Sequence, residues 1–235
     1  MKSTNKKQKN YTAWELILFD KANIFRDYQF NFLRYNITGK VCEVGPGHGV
    51  ICDRYIKLSK KISLYEQSKK LFEFLKKKYI KNNKIKVYNK YLKPTKEKYD
   101  TILYLDVLEH IKQPKKELKN VFRSLKKGGK LILTVPAYQH LFSQFDKDVG
   151  HYRRYTIKKF LNEMNGIKYS NLKNYYIDTI GYFLSLSAKI FMKKDYKSNF
   201  DKKIRIWNFL IHISKILDFI TMYSFGKTLI IIVQK

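Results

Sequence analysis

Three acidic residues, three closely spaced glycines and two histidines make up the part of this 235-residue chain that could carry chemistry. Glu43 closes an apolar run, and Gly45, Gly47 and Gly49 follow at alternate positions. Glycine has no Cβ, so such a stretch turns sharply and lets the backbone approach a bound molecule. The carboxylate of Glu43 would repel a pyrophosphate but welcome a cation or an amino group. The spacing is neither the G-x-G-x-x-G dinucleotide pattern nor a phosphate loop ending in Gly-Lys-Ser/Thr. Glu66 ends the next short apolar run, Lys61–Glu66, about one strand–helix unit later. In an open α/β sheet that position holds a ribose, and a carboxylate accepts two hydroxyl hydrogen bonds at once. The turn and the two acids predict a nucleotide-like cofactor. The plainer alternatives are a ligand-free turn and, for Glu66, a solvated residue capping a helix.

Histidine titrates near neutral pH and suits proton transfer. His110 follows the apolar run Tyr99–Leu105, and Asp106 lies between them. His151 sits in Asp146-x-Asp148-x-Gly150-His151-Tyr152-Arg153-Arg154-Tyr155. Both histidines are candidate catalytic bases; the alternative for His110 is a structural bond to a neighbouring loop. Arg153 and Arg154, with Tyr155 beside them, could fork onto a carboxylate or phosphate of a substrate. They could equally form an internal salt-bridge network with Asp146 and Asp148. His48 lies inside the glycine turn and reads as packing near the cofactor, while His140 and His212 stand without a constellation. With no C-x-x-C and no H-x-x-x-H pair, no metal site is expected. No nucleophile elbow is present either.

These residues must be positioned by alternating elements. Strands are expected at 40–45, 61–66, 84–88, 99–105, 130–135, 168–174 and 228–233. Helices are expected at 49–59, 68–81, 114–126 and 157–165, and Tyr11–Tyr35 reads as one or two amphipathic helices with Trp14, Leu18, Phe25 and Phe32 inward. Strand–helix alternation means an α/β fold with a mostly parallel sheet. The reading is one domain over 1–235: a mobile tail at 1–10, N-terminal helices at 11–37, a core at 38–174, a helical cap at 175–226 and a last strand at 227–235.

Taken in order, Glu43-x-Gly45-x-Gly47-x-Gly49, Glu66, Tyr99–Ile111 and Lys126–Pro136 resemble class I S-adenosylmethionine-dependent methyltransferases. The resemblance spans residues 38–136 and, more loosely, the rest. Asp106-Val107-Leu108-Glu109-His110 is similar to the small-molecule branch, which includes quinone-biosynthesis and surface-glycan enzymes. Gly150–Tyr155 also resembles a subgroup of that branch. The resemblance implies a Rossmann-like doubly wound, seven-stranded sheet and S-adenosyl-L-methionine as cofactor. It implies that Glu43, Gly45, Gly47 and Gly49 surround the methionine portion, that Glu66 holds the ribose, and that Asp106 borders cofactor and substrate. The family often has an acid after the third strand for the adenine amine. Here Asn89 can accept that hydrogen bond and Lys90 cannot. The implied reaction is methyl transfer to a small molecule or a surface-glycan or lipid-linked intermediate, at oxygen given the histidine bases.

The formal charge of +30 favours nucleic acid, anionic membrane or acidic substrates. Lysine is spread along the chain together with much Asn, Ile and Tyr, which is also a signature of AT-biased coding. An RNA or other nucleic-acid methyltransferase is the alternative. Against it, the Asn/Asp-Pro-Pro-aromatic signature of amino-directed enzymes is replaced by Asp106-Val107-Leu108-Glu109. A non-enzymatic scaffold is the third class, and the intact turn and Glu66 argue against it. Cys42 and Cys52 lie in apolar elements and suggest a reduced, cytoplasmic setting. Met1–Asn10 is polar and lysine-rich, unlike a signal peptide.

Between the last two strands, Asp178–Met192 and Ile204–Met222 read as helices with strongly apolar faces, with Lys193, Lys194, Lys197, Lys202 and Lys203 between them. Lys215 and Asp218 interrupt the second, so neither is expected to span a bilayer. A cap packed on the sheet and a surface resting on an anionic membrane are both consistent with this pattern.

Overall fold

A computed structural model describes residues 14–94, 98–191 and 199–235. The expected tail at 1–10, the side chain of Trp14 and the lysines at 193, 194 and 197 lie outside the described residues. The strands are β1 (Lys40–Val44), β2 (Lys61–Tyr65), β3 (Ile85–Tyr88), β4 (Tyr99–Leu105), β5 (Leu125–Pro136), β6 (Asn171–Ile177) and β7 (Thr228–Gln234). They form one Rossmann-like sheet in the order β3-β2-β1-β4-β5-β7-β6. β7 alone runs antiparallel to its neighbours. Its run Thr228–Val233 is buried throughout, as a strand covered on both faces requires.

Helices cover both faces: α1 (Trp14–Asp20), α2 (Asn23–Leu33), α3 (Val50–Tyr55), α4 (Lys69–Lys78), α5 (Pro114–Ser124), α6 (Gln144–Asp148), α7 (Ile157–Glu163), α8 (Thr179–Phe191) and α9 (Phe200–Ile220). Pro114 starts α5, where its missing N–H leaves nothing unpaired. Alternation along β1 divides the core. Val41 faces one cluster with Phe25, Leu33 and Trp207, while Cys42 and Val44 face the other with Leu118, Phe122 and Phe160. Leu18 and Phe32 pack against the first cluster, as their spacing predicts.

Four elements depart from expectation: the sequence reading has no counterpart of α6, and α9 starts at Phe200, four residues before the expected Ile204. β6 starts three residues later than expected because its partner sets its register: Asn171 pairs with Gln234 and Ile177 with Thr228. β5 starts at Leu125, which already pairs with Tyr99 before a register shift.

α9 carries a buried stripe and, on its other side, an exposed apolar one. Ile204, Trp207, Ile211, Ser214 and Asp218 are buried, and Ile206, Phe209, Ile213, Ile216 and Ile220 are exposed, each set at helical spacing. Asp218 does not simply interrupt the helix. Its buried carboxylate accepts from Tyr28 Oη (2.9 Å), Asp178 N (2.7 Å), Thr179 N (2.9 Å) and Thr179 Oγ1 (2.6 Å). Asp178, at φ 71°, accepts in turn from Trp207 Nε1 (2.8 Å), Ser214 Oγ (3.1 Å) and Gly181 N (2.8 Å). The two carboxylates therefore bolt α8, α9 and α2 to the end of β6.

Candidate active site

β1 and β4 are neighbours whose chain connections leave in opposite directions across the sheet. Ligands of open α/β sheets bind at this switch point, beyond the carboxyl ends of the strands. The glycine loop follows β1, and Asp106 follows β4. Gly45 and Gly47 have φ of 66° and 57°, a region closed to most side chains. A Cβ at Gly45 would come within 2.8 Å of Val107 Cγ2, so the loop also needs glycine there for space. A Cβ at Gly47 would meet Leu16 Cδ1 at 3.4 Å, which shows that α1 lies across the loop. His48, as expected, packs rather than faces an acceptor: its Nδ1 is 2.6 Å from Asp20 Oδ2 at the end of α1.

Glu66 is 6% exposed, and its Oε1 accepts from Ser68 N at 2.8 Å. Burial raises its pKa, and hydrogen bonds from the backbone of Ser68, Gln67 and Gly47 oppose the rise. The acid thus ties the glycine loop to the end of β2. Asn89 Nδ2 donates to the carbonyls of Glu66 (2.9 Å) and Gln67 (3.1 Å), which places this amide beside Glu66. Glu43 points inward, on the same face of β1 as Val41. Tyr55 Oη donates to its Oε2 at 2.5 Å, and burial pushes its pKa up to about 7. Its carboxylate braces α3 against β1 from beneath the loop.

Asp106 adopts φ 55°, an uncommon conformation for a non-glycine residue. Its N–H donates to Thr134 O (2.9 Å), and Thr134 Oγ1 donates to its Oδ1 (3.1 Å). Its other oxygen, Oδ2, lies 3.5 Å from Arg26 Nη1 of α2. Arg26 also donates to Gln29 Oε1, and its buried Nε has no partner among the described residues. Arg26 was not picked out from the sequence. The available signal was its place in the inward spacing Ala22, Arg26, Gln29, Leu33, where a charge is out of place.

Glu109, His110 and His151 meet beyond Asp106. Glu109 and His110 lie on the short turn Leu108–His110 after β4, and Tyr152 N donates to Glu109 O at 2.9 Å, clamping the His151 loop against that turn. The imidazoles of His110 and His151 sit edge to face with centroids 4.6 Å apart. Burial, with His151 as its neighbour, pushes the pKa of His110 down to about 3. Burial and the nearby Asp106 hold Glu109 well above the usual carboxylate range. His151 Nδ1 is 2.8 Å from Asp146 Oδ1. Burial alone would raise the pKa of Asp146, but the His151 hydrogen bond and the Arg154 charge more than offset this and lower it.

Arg154, expected at the substrate, forks onto Asp146 instead, with Nε to Oδ1 at 2.9 Å and Nη2 to Oδ2 at 3.0 Å. It is 5% exposed, and Tyr155 is fully buried. Of the internal network read from the sequence, Asp146 pairs with Arg154, and Asp148 accepts from Gln144 Nε2 at 2.7 Å. Arg153 remains at the surface, where it lines a groove of about 540 Å³ with Lys112, Lys115, Lys116 and Lys119.

A family profile described as a methyltransferase domain matches residues 18–174. Against curated protein sequences nothing matches. Among solved structures, a Bacillus halodurans protein assigned as a methyltransferase superposes with a TM-score of 0.57 at 16% identity, over 88% of this chain and 97% of its own. Phosphoethanolamine N-methyltransferase 2 of Haemonchus contortus, solved with S-adenosyl-L-methionine, superposes at 0.63 with 13% identity, over 97% of this chain and 59% of its own. NodS, an N-methyltransferase of Bradyrhizobium japonicum solved with S-adenosyl-L-homocysteine, gives 0.55 at 14% identity, over 72% and 87%. At these identities the likeness is one of fold.

Proposed function

The chain belongs to the methyltransferase-domain family, and from that premise we propose that it binds S-adenosyl-L-methionine over the glycine loop and moves the methyl group to an oxygen of a small-molecule or lipid-linked glycan acceptor. The observation that carries this reading is the pairing of Arg26 with Asp106 at the switch point. The amino-acid end of the cofactor is a zwitterion beside a sulfonium. A guanidinium complements its carboxylate, and an aspartate complements its cationic side. The glycine loop lets the backbone come close, Glu66 lies where the ribose hydroxyls would be, and Asn89 is beside it for the adenine. Relatives of the same fold hold this cofactor or its product.

The bound cofactor supplies an activated methyl group. The chain must align the acceptor and take its proton. In this reading His151 takes that role. Asp146 is kept ionised by Arg154, so Nδ1 of His151 carries the hydrogen and Nε2 is the proton acceptor. The acceptor hydroxyl gives its proton to Nε2, and its oxygen forms the C–O bond. When bound, the cofactor would supply that carbon, the electron pair of its S–CH3 bond staying with sulfur. Arg153 and its lysine groove suit an acceptor bearing phosphate.

The exposed stripe of α9, together with Phe183, Leu184 and Ile190 of α8, fits an anionic bilayer. Lys189, Lys202, Lys203, Arg205 and Lys215 lie on the same two helices. No helix among the described residues is long and apolar enough to cross a membrane, so the contact would be peripheral. Calorimetric titration with S-adenosyl-L-methionine tests the core of the proposal. One site of micromolar affinity is expected, and no heat in the wild-type protein would end the reading.

A further inference from the structure

We propose that Glu109, His110 and His151 form a binding site for one divalent first-row transition cation, of which zinc is the representative, at the acceptor side of the pocket. One ligand atom from each residue lies within 4.8 Å of the others. His151 Nε2 is 3.9 Å from Glu109 Oε1. In a tetrahedral zinc site with bonds of about 2.0–2.1 Å, ligand atoms sit roughly 3.3 Å apart. Modest side-chain rotation closes the difference. Two imidazoles and one carboxylate are the donors that borderline ions select.

Glu109 shows that the site lacks something. It is fully buried, and neither carboxylate oxygen has a hydrogen-bond partner among the described residues. Buried acids are normally satisfied, because leaving one bare costs several kcal/mol. A cation between Glu109 and the two rings supplies the missing interaction.

The surroundings have the form that holds metal ligands in place. Metal-bound histidines commonly give their second ring nitrogen to a carboxylate or a backbone carbonyl. His151 gives Nδ1 to Asp146 at 2.8 Å, and Arg154 holds Asp146 through both its oxygens. The His110 ring hydrogen-bonds the backbone of Gly150. The buried Arg154–Asp146 pair thus has a purpose beyond shaping the loop: it aims His151 at Glu109. Three protein ligands leave a fourth position open for an oxygen.

The consequence for chemistry rests on the methyl-transfer reading; the binding of the ion does not. A coordinated hydroxyl loses its proton more readily. With the ion present, His151 is a ligand, and the acceptor proton passes to water instead of to the ring.

The test uses the full chain, stripped with a chelator and titrated with Co2+ by visible absorption and with Zn2+ by calorimetry. One equivalent of each is expected to bind, with Zn2+ displacing Co2+. H151A and E109Q should each weaken Zn2+ by about 100-fold, and D146N by about 10–100-fold, as removal of an orienting carboxylate does. The same preparations are titrated with S-adenosyl-L-methionine, which reports folding independently. If wild-type protein takes up neither ion stoichiometrically, or if H151A and E109Q bind Zn2+ as well as wild type, the site does not exist. If Zn2+ binds and S-adenosyl-L-methionine does not, the metal site stands and the methyl-transfer reading falls.

Discussion

Arg26 and Asp106 face each other at 3.5 Å across the junction of β1 and β4, one from α2 and the other from the end of a strand. Arg26 has only 12% of its side chain exposed, while Asp106 has 41%. The guanidinium is held in place by protein, and the carboxylate remains partly open to solvent. A charged hydrogen bond to a ligand carboxylate contributes about 1.5–3 kcal/mol. R26M should therefore weaken S-adenosyl-L-methionine by roughly 10–100-fold. R26K should recover part of that loss, since a point charge replaces a fork. Calorimetry on the three proteins measures it, and unchanged affinity in R26M would remove Arg26 from the site.

Gly47 gives a sharper steric test. Its φ of 57° already disfavours any side chain, and Leu16 stands 3.4 Å from the place of its Cβ. Gly47→Arg would fill the space between loop and α1. The variant should keep its far-ultraviolet circular dichroism and lose cofactor binding below detection. Normal affinity would mean that the ligand does not pass over this loop.

The sheet was legible because its strands are short apolar runs that end at turn residues, and a buried strand needs little else. The glycine loop and Glu66 were legible because local chemistry defines them. Residues whose meaning depends on distant partners were not. Asp218 looks like a blemish in an apolar helix until Tyr28 and Thr179 arrive from other elements. Arg154 looks free to grip a substrate until the fold of its loop brings Asp146 beneath it. The convergence of His151 on Glu109 could not be read from spacing, since α5, β5 and α6 separate them along the chain. The expectation of no metal site rests on local spacing, which does not report on residues brought together by the fold.

Glu43 gives a pH-dependent stability. Burial raises its pKa from 4.5 to about 7 in the folded chain. Below about pH 4.5 both states carry the proton, and there is no effect. As pH rises through the interval up to about 7, the unfolded state releases its proton first, so stability falls. Above that the loss levels off at roughly 3 kcal/mol. E43Q keeps an acceptor for Tyr55 without the charge. It should match wild type at pH 4.5 and exceed it at pH 8 in urea denaturation. Equal stability at both values would show that Glu43 ionises without penalty.

Arg154 and Asp146 form a buried pair, and breaking one side leaves the other charge uncompensated. R154M should destabilise the chain by about 3–5 kcal/mol at neutral pH. D146N/R154M removes both charges and should regain much of that loss. The comparison is made by urea denaturation of the single and double variants. An R154M variant as stable as wild type would mean that Asp146 is reached by water.

The exposed stripe of α9 is a test of where the acceptor is met. Ile206, Phe209, Ile213, Ile216 and Ile220 lie on the helix face opposite the buried one, so charging them does not disturb the core. An amphipathic surface of this kind binds by apolar area and by attraction to anionic lipid, and only the second part is screened by salt. Wild-type protein should co-sediment with vesicles rich in phosphatidylserine at low salt and much less with phosphatidylcholine alone. F209E/I216E should lose that binding and keep its affinity for S-adenosyl-L-methionine, because both residues point away from the sheet. If the variant sediments as wild type does, the stripe does not touch lipid. If the wild type forms a dimer that F209E/I216E abolishes while vesicles have no effect, the stripe is covered by a second copy of the chain.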